Sequence, residues 1–257
     1  MSPTGLGVRA VLQAGGKGSR LFPATKDIPK PLIKVAGVPM IERLLWQLIG
    51  CGVRQVTVIT GWMGKNIEGH LQELTDLPND LQIDFIRESR PLGNVGALGH
   101  LHPVSEPVLF VFADLVTDLD FAKLVAIHRK KNTHITLASH LETHQLQLGE
   151  VLVHGDQVTS YQEKPLKRFL IGSGMAVFDP PVLELLDTGH PRGIADLINA
   201  TIARGMTVTH WRHGAFWVDV NTPEALERAE SELKGYKKAV DAALSCMDAP
   251  ENARALG

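Results

Sequence analysis

Cysteine is scarce in this 257-residue chain. Only Cys51 and Cys246 are present, and they offer neither a paired metal-ligand motif nor a disulfide framework. Long apolar runs are absent as well: no stretch approaches the roughly twenty residues needed to cross a bilayer. The opening Met1, Ser2, Pro3 and Thr4, followed by a short apolar segment that Gln13 interrupts, lack the charge and length pattern of a secretion signal. Neither sign of charge dominates. With 26 Lys and Arg against 28 Asp and Glu the formal charge is -2, which leaves no basic nucleic-acid footprint and no polyanionic tail. These absences lead to the expectation of a cytoplasmic protein that engages neither membrane nor nucleic acid. A local phosphate pocket is still compatible with them.

What is present is alternation. Val8 to Leu12 reads as a buried strand that runs into Gln13, Ala14, Gly15 and Gly16, where glycine eases a tight turn. Ile41, Leu44, Leu45 and Leu48 recur at helix spacing between Pro39 and Gly50, and Val56 to Ile59 returns as a strand. Ile67, Leu71 and Leu74 give a second helical stripe, and Ile83, Phe85 and Ile86 a third strand. Val108 to Ala113 has the continuous apolar character of a central strand, and Phe121, Leu124, Val125 and His128 form the next helical face, with His128 read as a surface position. After residue 140 antiparallel additions are expected, with strands at Val151 to Val153, Val158 to Tyr161 and Met175 to Phe178. A helix around Leu197, Ile198 and Ile202, strands near Val208 and at Phe216 to Val218, and a helix capped by Thr222 complete the pattern. The fold class is α/β: a Rossmann-like doubly wound mixed sheet with an inserted or appended antiparallel region, its ligands gathered outside the carboxyl ends of the strands.

The strongest local feature is Gln13-Ala14-Gly15-Gly16-Lys17-Gly18-Ser19-Arg20, followed by Lys30 between Pro29 and Pro31. Its glycines expose backbone N–H groups able to surround phosphate oxygens, and Arg20 and Lys30 can neutralise a triphosphate. An ordinary tight turn is the competing reading. The order fits neither a Walker A loop nor the full dinucleotide fingerprint. Asp114 and Asp219 each follow an apolar strand, and strands ending at one face of an α/β sheet can bring such residues together. Two carboxylates with a nucleotide suit Mg2+, whereas helix or loop capping is the alternative for each. Capping is the expected role of Asp118, Asp120 and Asp179. Among 11 histidines, His210 and His213 could line a pocket without forming a closed ligand set.

In ordered series, the segment from Leu12 through Leu32, Glu88-Ser89-Arg90-Pro91-Leu92-Gly93-Asn94-Val95-Gly96, Asp114, Glu163-Lys164-Pro165 and Trp217-Val218-Asp219 resembles the sugar nucleotidyltransferase family. The resemblance covers most of residues 8 to 230. It implies transfer of a nucleoside monophosphate from an NTP to a sugar-1-phosphate or cyclitol phosphate, with pyrophosphate released. It places catalytic roles on Arg20, Lys30 and Lys164. Nucleotide contacts fall on Gln13, Ala14, Gly15, Gly16, Gly18, Ser19, Arg20, Glu88, Gly93 and Asn94, and Mg2+ ligands on Asp114 and Asp219. The acceptor side falls on Gly149, Glu163, Lys164, Ser173 and Gly174. Ser19, Ala113 and Asn221 stand where the family pattern commonly has threonine, glycine and glycine.

The resemblance further implies one catalytic domain over 1–237, with 1–140 mainly for the NTP and 141–237 mainly for the acceptor, then a tail over 238–257. The Glu88 to Gly96 segment is closer to guanylyltransferase relatives, which points to GTP with a heptose, mannose or cyclitol phosphate. Uridylyl or other pyrimidine transfer, and a non-catalytic nucleotide sensor, are the alternatives. Gln13 reads equally as a base-pocket residue or as a structural polar residue at a strand end. Ala225, Leu226, Ala229 and Leu233 give the last helix a stripe that suits either a monomer core or a homodimer.

Overall fold

The computed structural model describes residues 5–101 and 104–234. In chain order, β1 (Arg9–Ala14) leads to a small hairpin of β2 (Lys34–Val35) and β3 (Val38–Pro39). Then come α1 (Met40–Gly50), β4 (Gln55–Thr60), α2 (Gly64–Gln72), β5 (Gln82–Arg87), β6 (Val108–Phe112), β7 (Leu115–Thr117) and α3 (Phe121–Lys131). The second half is richer in strands: β8 (Ile135–Gln145), a hairpin of β9 (Glu150–His154) and β10 (Gln157–Gln162), and β11 (Leu166–Phe178). It closes with α4 (Pro180–Leu183), α5 (Ile194–Ala203), β12 (Val208–Arg212), β13 (Trp217–Asp219) and a helix, α6, over 223–234.

Seven strands make one twisted sheet in the order β12-β8-β11-β6-β1-β4-β5, and β11 alone runs against the rest. This is the Rossmann-like mixed sheet expected from the alternation. The chain leaves β1 toward β4 on one side, whereas β6 lies on the other. Between the carboxyl ends of β1 and β6 the connections diverge and a crevice opens, the usual ligand position in such sheets. Gln13 O accepts from Ala113 N at 3.0 Å, so the two strand ends that bear the candidate site are stitched together.

Alternate side chains of these strands enter different cores, as the two-residue period of a strand requires. Ala10, Leu12, Leu109 and Val111 pack with Leu44, Leu48, Ile67 and Leu124 of α1, α2 and α3. On the opposite face Val11, Val108 and Phe110 pack with Leu98, Leu183 and Leu197. Each fully buried Leu, Val or Ile contributes about 1.5–3 kcal/mol, so helices covering both faces explain why the central strands are apolar throughout. A third cluster joins Leu21, Ile33, Val35, Met40, Val116 and Val218 to Ala225, Leu226, Ala229 and Leu233 of α6. The α6 stripe therefore packs, partly buried, on the chain's own core beside Leu21 and Ile33, which flank the Lys30 segment. Ala225 N donates to Thr222 Oγ1 at 3.2 Å, the expected cap.

Some local expectations change. His128 is 2% exposed rather than on the surface, with Nδ1 3.0 Å from Thr136 Oγ1 and Nε2 3.0 Å from Asp179 Oδ1. Asp179 consequently spends its carboxylate on that histidine and caps nothing, while Asp120 does cap α3 through Lys123 N at 2.9 Å. α2 ends at Gln72, leaving Leu74 outside the helix. β11 begins at Leu166, well before Met175, because it pairs with β8 as a ribbon that continues past the main sheet. The expected tail over 238–257 lies outside the described residues. Among the described residues no helix is long and apolar enough to cross a membrane.

Candidate active site

Lys30, Asp114 and Asp219 meet at the β1/β6 crevice. Lys30 lies on a 3-10 turn, Lys30–Leu32, that Pro29 and Pro31 shape, and it is only 6% exposed. Its Nζ is 2.6 Å from Asp114 Oδ2 and 3.6 Å from Asp219 Oδ1. The two aspartates arrive from separate strands. Asp114 sits between β6 and β7, Asp219 ends β13, and the antiparallel pairing of β13 with β7 sets Asp219 opposite Leu115. Burial pushes the Asp219 carboxyl above its usual range; the Asp114 charge adds to this, and Lys30 and Arg20 oppose it. Asp219 Oδ1 is buried without a hydrogen bond. Asn221 reaches both charged neighbours: its Oδ1 accepts from Lys30 and its Nδ2 donates to Asp219 Oδ2.

The glycine loop closes over this cluster. Gly16, Gly18, Ser19 and Arg20 line a cleft of about 180 Å³ together with Lys30, Asp114 and Asn221. Gly18 has φ +64, and a Cβ there would come within 2.8 Å of the Lys30 Cβ, so glycine lets the loop lie directly on the lysine stem. Gly15 is equally constrained: a Cβ would fall 2.3 Å from Glu88 Oε2 and 3.4 Å from Gln13 Nε2. Gln13, Gly15 and Glu88 thus form one neighbourhood beside the glycine loop, in which Gln13 Oε1 is buried without a hydrogen bond. Burial raises the Glu88 carboxyl above its ordinary range, while the Leu92 N–H and the His100 charge oppose that. Ala14 points into the core and leaves only its backbone for a ligand. A larger hollow of about 810 Å³ between α1 and α6 contains none of these loop residues. Charge rather than size marks the site.

Other expected residues sit differently. Gly93, at φ +76, packs on Arg192, whose carbonyl oxygen would be 2.3 Å from an added Cβ, and Asn94 Oδ1 accepts from Ile194 N at 2.7 Å. Both tie the Glu88 to Gly96 segment to the start of α5. Glu163 and Lys164 are exposed at the end of the β9/β10 hairpin; Tyr161 donates to Glu163 Oε2 at 3.3 Å, and Gly149 lies against the same tyrosine ring. Among the described residues, neither Glu163 nor Lys164 has an ion pair with the Lys30 cluster. Ser173 is 0% exposed, its hydroxyl held between His140 Nδ1 at 2.8 Å and His213 Nε2 at 2.7 Å. The hydroxyl is thus already engaged by two protein groups. Gly174, at φ +72, sits under Phe112 where a Cβ would be 2.8 Å from the ring.

A family profile described as nucleotidyl transferase matches residues 9–235. The chain belongs to the nucleotidyl transferase family. It is 28% identical over 228 residues to mannose-1-phosphate guanylyltransferase catalytic subunit beta of Drosophila pseudoobscura pseudoobscura, covering 86% of this chain and 61% of that protein. It is 27% identical over 241 residues to mannose-1-phosphate guanylyltransferase of Mycobacterium tuberculosis, covering 88% of this chain and 64% of that protein. This nucleotidyl transferase chain thus spans less than two thirds of the length of those relatives. Among solved structures, HddC of Yersinia pseudotuberculosis has the same fold, with TM-score 0.67 and 23% identity over 88% of this chain and 99% of that one.

Two features of this nucleotidyl transferase escaped the sequence reading. Asn221 stood out only as a departure from a glycine, and its double contact needs the Lys30 turn brought beside β13. His140 lies in β8, whose mixed apolar and polar residues give no clean alternation. No three His, Cys, Asp or Glu side chains gather as metal ligands among the described residues. Magnesium nevertheless takes only one or two carboxylates and completes its shell with phosphate and water. The buried Asp219 Oδ1, which makes no hydrogen bond and lies beside Asp114, fits that requirement.

Proposed function

We propose that the protein transfers a nucleoside monophosphate from an NTP to a sugar 1-phosphate and releases pyrophosphate. The observation that carries this reading is the meeting of Lys30, Asp114 and Asp219 under the glycine loop at the sheet's switch point. An oxygen of the sugar phosphate attacks the α-phosphorus of the NTP. The new P–O bond forms as the bond from the α-phosphorus to the bridging oxygen of the β-phosphate breaks, and pyrophosphate departs with that electron pair. Arg20, Lys30 and the loop N–H groups offset the charge on the phosphates, and holding both substrates in one crevice supplies orientation. Asp114 and Asp219 are the residues that would hold Mg2+, which when bound neutralises phosphate charge. Lys164 draws in the acceptor phosphate and Glu163 accepts from sugar hydroxyls, a division that follows from what ammonium and carboxylate can bind.

For the donor we propose GTP, and for the acceptor mannose 1-phosphate, a heptose 1-phosphate or a related cyclitol phosphate. The guanylyltransferase names of the relatives support this choice. So does the Gln13 Oε1 acceptor, which lies buried and unpaired beside Glu88, since the Watson–Crick edge of guanine offers N–H donors. The test is a pyrophosphate-release screen crossing the common NTPs with hexose, heptose and cyclitol phosphates, followed by mass identification of the product. Preference for UTP, CTP or dTTP would sink the guanylyl assignment and leave the transfer reaction standing. Nucleotide binding without turnover across the matrix would sink the reaction and favour a sensor.

A further inference from the structure

Asn221 lines the crevice, and the transfer reaction gives its side chain no role. It lies two residues beyond Asp219 on the turn that leaves β13, and its backbone N–H donates to the Asp219 carbonyl at 2.9 Å. Its amide is wedged between two charges, with Oδ1 accepting from the Lys30 ammonium and Nδ2 donating to Asp219 Oδ2. Chemistry fixes that orientation, because an ammonium only donates and an ionised carboxylate only accepts. One Asp219 oxygen is thereby engaged, and the other, Oδ1, is left buried with no hydrogen bond. Lys30 in turn divides its donors between Asp114 Oδ2 at 2.6 Å and the neutral Asn221 oxygen.

An ammonium and a divalent cation on the same pair of carboxylates repel each other by roughly several kcal/mol in a partly buried crevice. Either the lysine keeps the carboxylates or it has somewhere else to go. A neutral acceptor beside it retains the ammonium without adding negative charge that would bind it more tightly. We infer that Asn221 is a positioning residue that readies Asp114 and Asp219 for a divalent cation: it pins Asp219 by Oδ2 so that Oδ1 is offered, and it holds Lys30 as the ammonium yields its carboxylate contacts. This rests on the cation site of the proposed function and adds a residue whose part in it nothing above assigns.

The test uses Mn2+ as the probe and reads the free ion by electron paramagnetic resonance, with the full chain titrated in the presence and absence of a non-hydrolysable GTP analogue. Wild type, N221A and N221G are compared, with circular dichroism and urea midpoints establishing which variants fold; either folded variant carries the test. The expected result is Mn2+ affinity lowered roughly tenfold, the scale of one lost hydrogen bond to a charged group, with a clearly smaller loss in metal-free binding of the analogue. Mn2+ affinity within about twofold of wild type in the folded variants would overturn the inference. So would an equal loss of metal-free nucleotide binding, which would mean that Asn221 only props the loop. Wild-type protein that binds no Mn2+ and releases no pyrophosphate would instead remove the proposed function itself, and the two failures are therefore distinguishable.

Discussion

Replacing Lys30 with methionine keeps the bulk of the side chain and deletes the ammonium that separates Asp114 from Asp219. The lysine is 6% exposed, and it lies 2.6 Å from one carboxylate and 3.6 Å from the other, each about one third exposed. A unit charge pair near 4 Å is worth about 4 kcal/mol at an effective dielectric of about 20, and part of that is cancelled by the cost of dehydrating the ammonium. Exposed pairs contribute about 0.2–1 kcal/mol and fully buried ones lose about 3–5 when one partner is removed, so a loss near 2 kcal/mol is expected here. For a domain of this size that lowers Tm by about 4–8 °C. Thermal unfolding in metal-free buffer measures it. Adding about 10 mM Mg2+ should raise the variant's Tm more than the wild type's, because the ion takes up the place between two unpaired carboxylates. Turnover in the Mg2+ buffer should be lost. A metal-free Tm within about 1 °C of wild type, or identical Mg2+ shifts in the two proteins, would refute the electrostatic reading of this crevice.

Asp114→Asn and Asp219→Asn should each retain the fold and weaken magnesium-dependent turnover, checked by kinetics across a magnesium titration; near-normal kinetics in both would defeat the ligand assignment. Arg20→Ala should impair use of the NTP and Lys164→Ala use of the sugar phosphate, and separate substrate titrations that show identical losses would mean a misassigned side. Burial, helped by the His140 charge, holds His213 below its ordinary 6.5, with the Ala215 backbone and Asp118 opposing. The unfolded chain then takes up a proton near pH 6.5 that the folded one refuses, so this histidine removes stability as pH falls from about 6.5 toward the lower folded value. Urea midpoints at pH 7.5 and 5.5 should differ less in H213Q than in wild type. Gly93→Ala forces a Cβ to within 2.3 Å of the Arg192 carbonyl at φ +76, and should lower stability by about 2 kcal/mol or more in urea unfolding.

Much of the fold was written in local pattern. Val108 to Phe112 is apolar at every position and is buried on both faces, and α1 presents Ile41, Leu44, Leu45 and Leu48 at helical spacing; both were legible because the period of burial is a property of neighbouring residues. The glycine loop stood out because its glycines cluster directly after an apolar strand; that a Cβ on Gly15 or Gly18 would strike Glu88 or Lys30 was added by the fold. Distance in sequence set the limit. Nothing near His128 announces that Thr136 and Asp179 close around it, and nothing near Ser173 announces that two histidines hold its hydroxyl. The Met175 strand could not be extended back to Leu166, because Leu166, Phe169, Leu170 and Ile171 do not alternate with polar residues and Gly172 and Gly174 interrupt the run. The residue types of the site, with their strand-end positions, were determined by the sequence alone. Tertiary structure decided that the β7/β13 pairing sets Asp219 beside Asp114, that the Lys30 ammonium lies between them, and that Asn221 reaches across to both charges. Long-range contacts of this kind depend on which elements pack together, and local periodicity does not encode that.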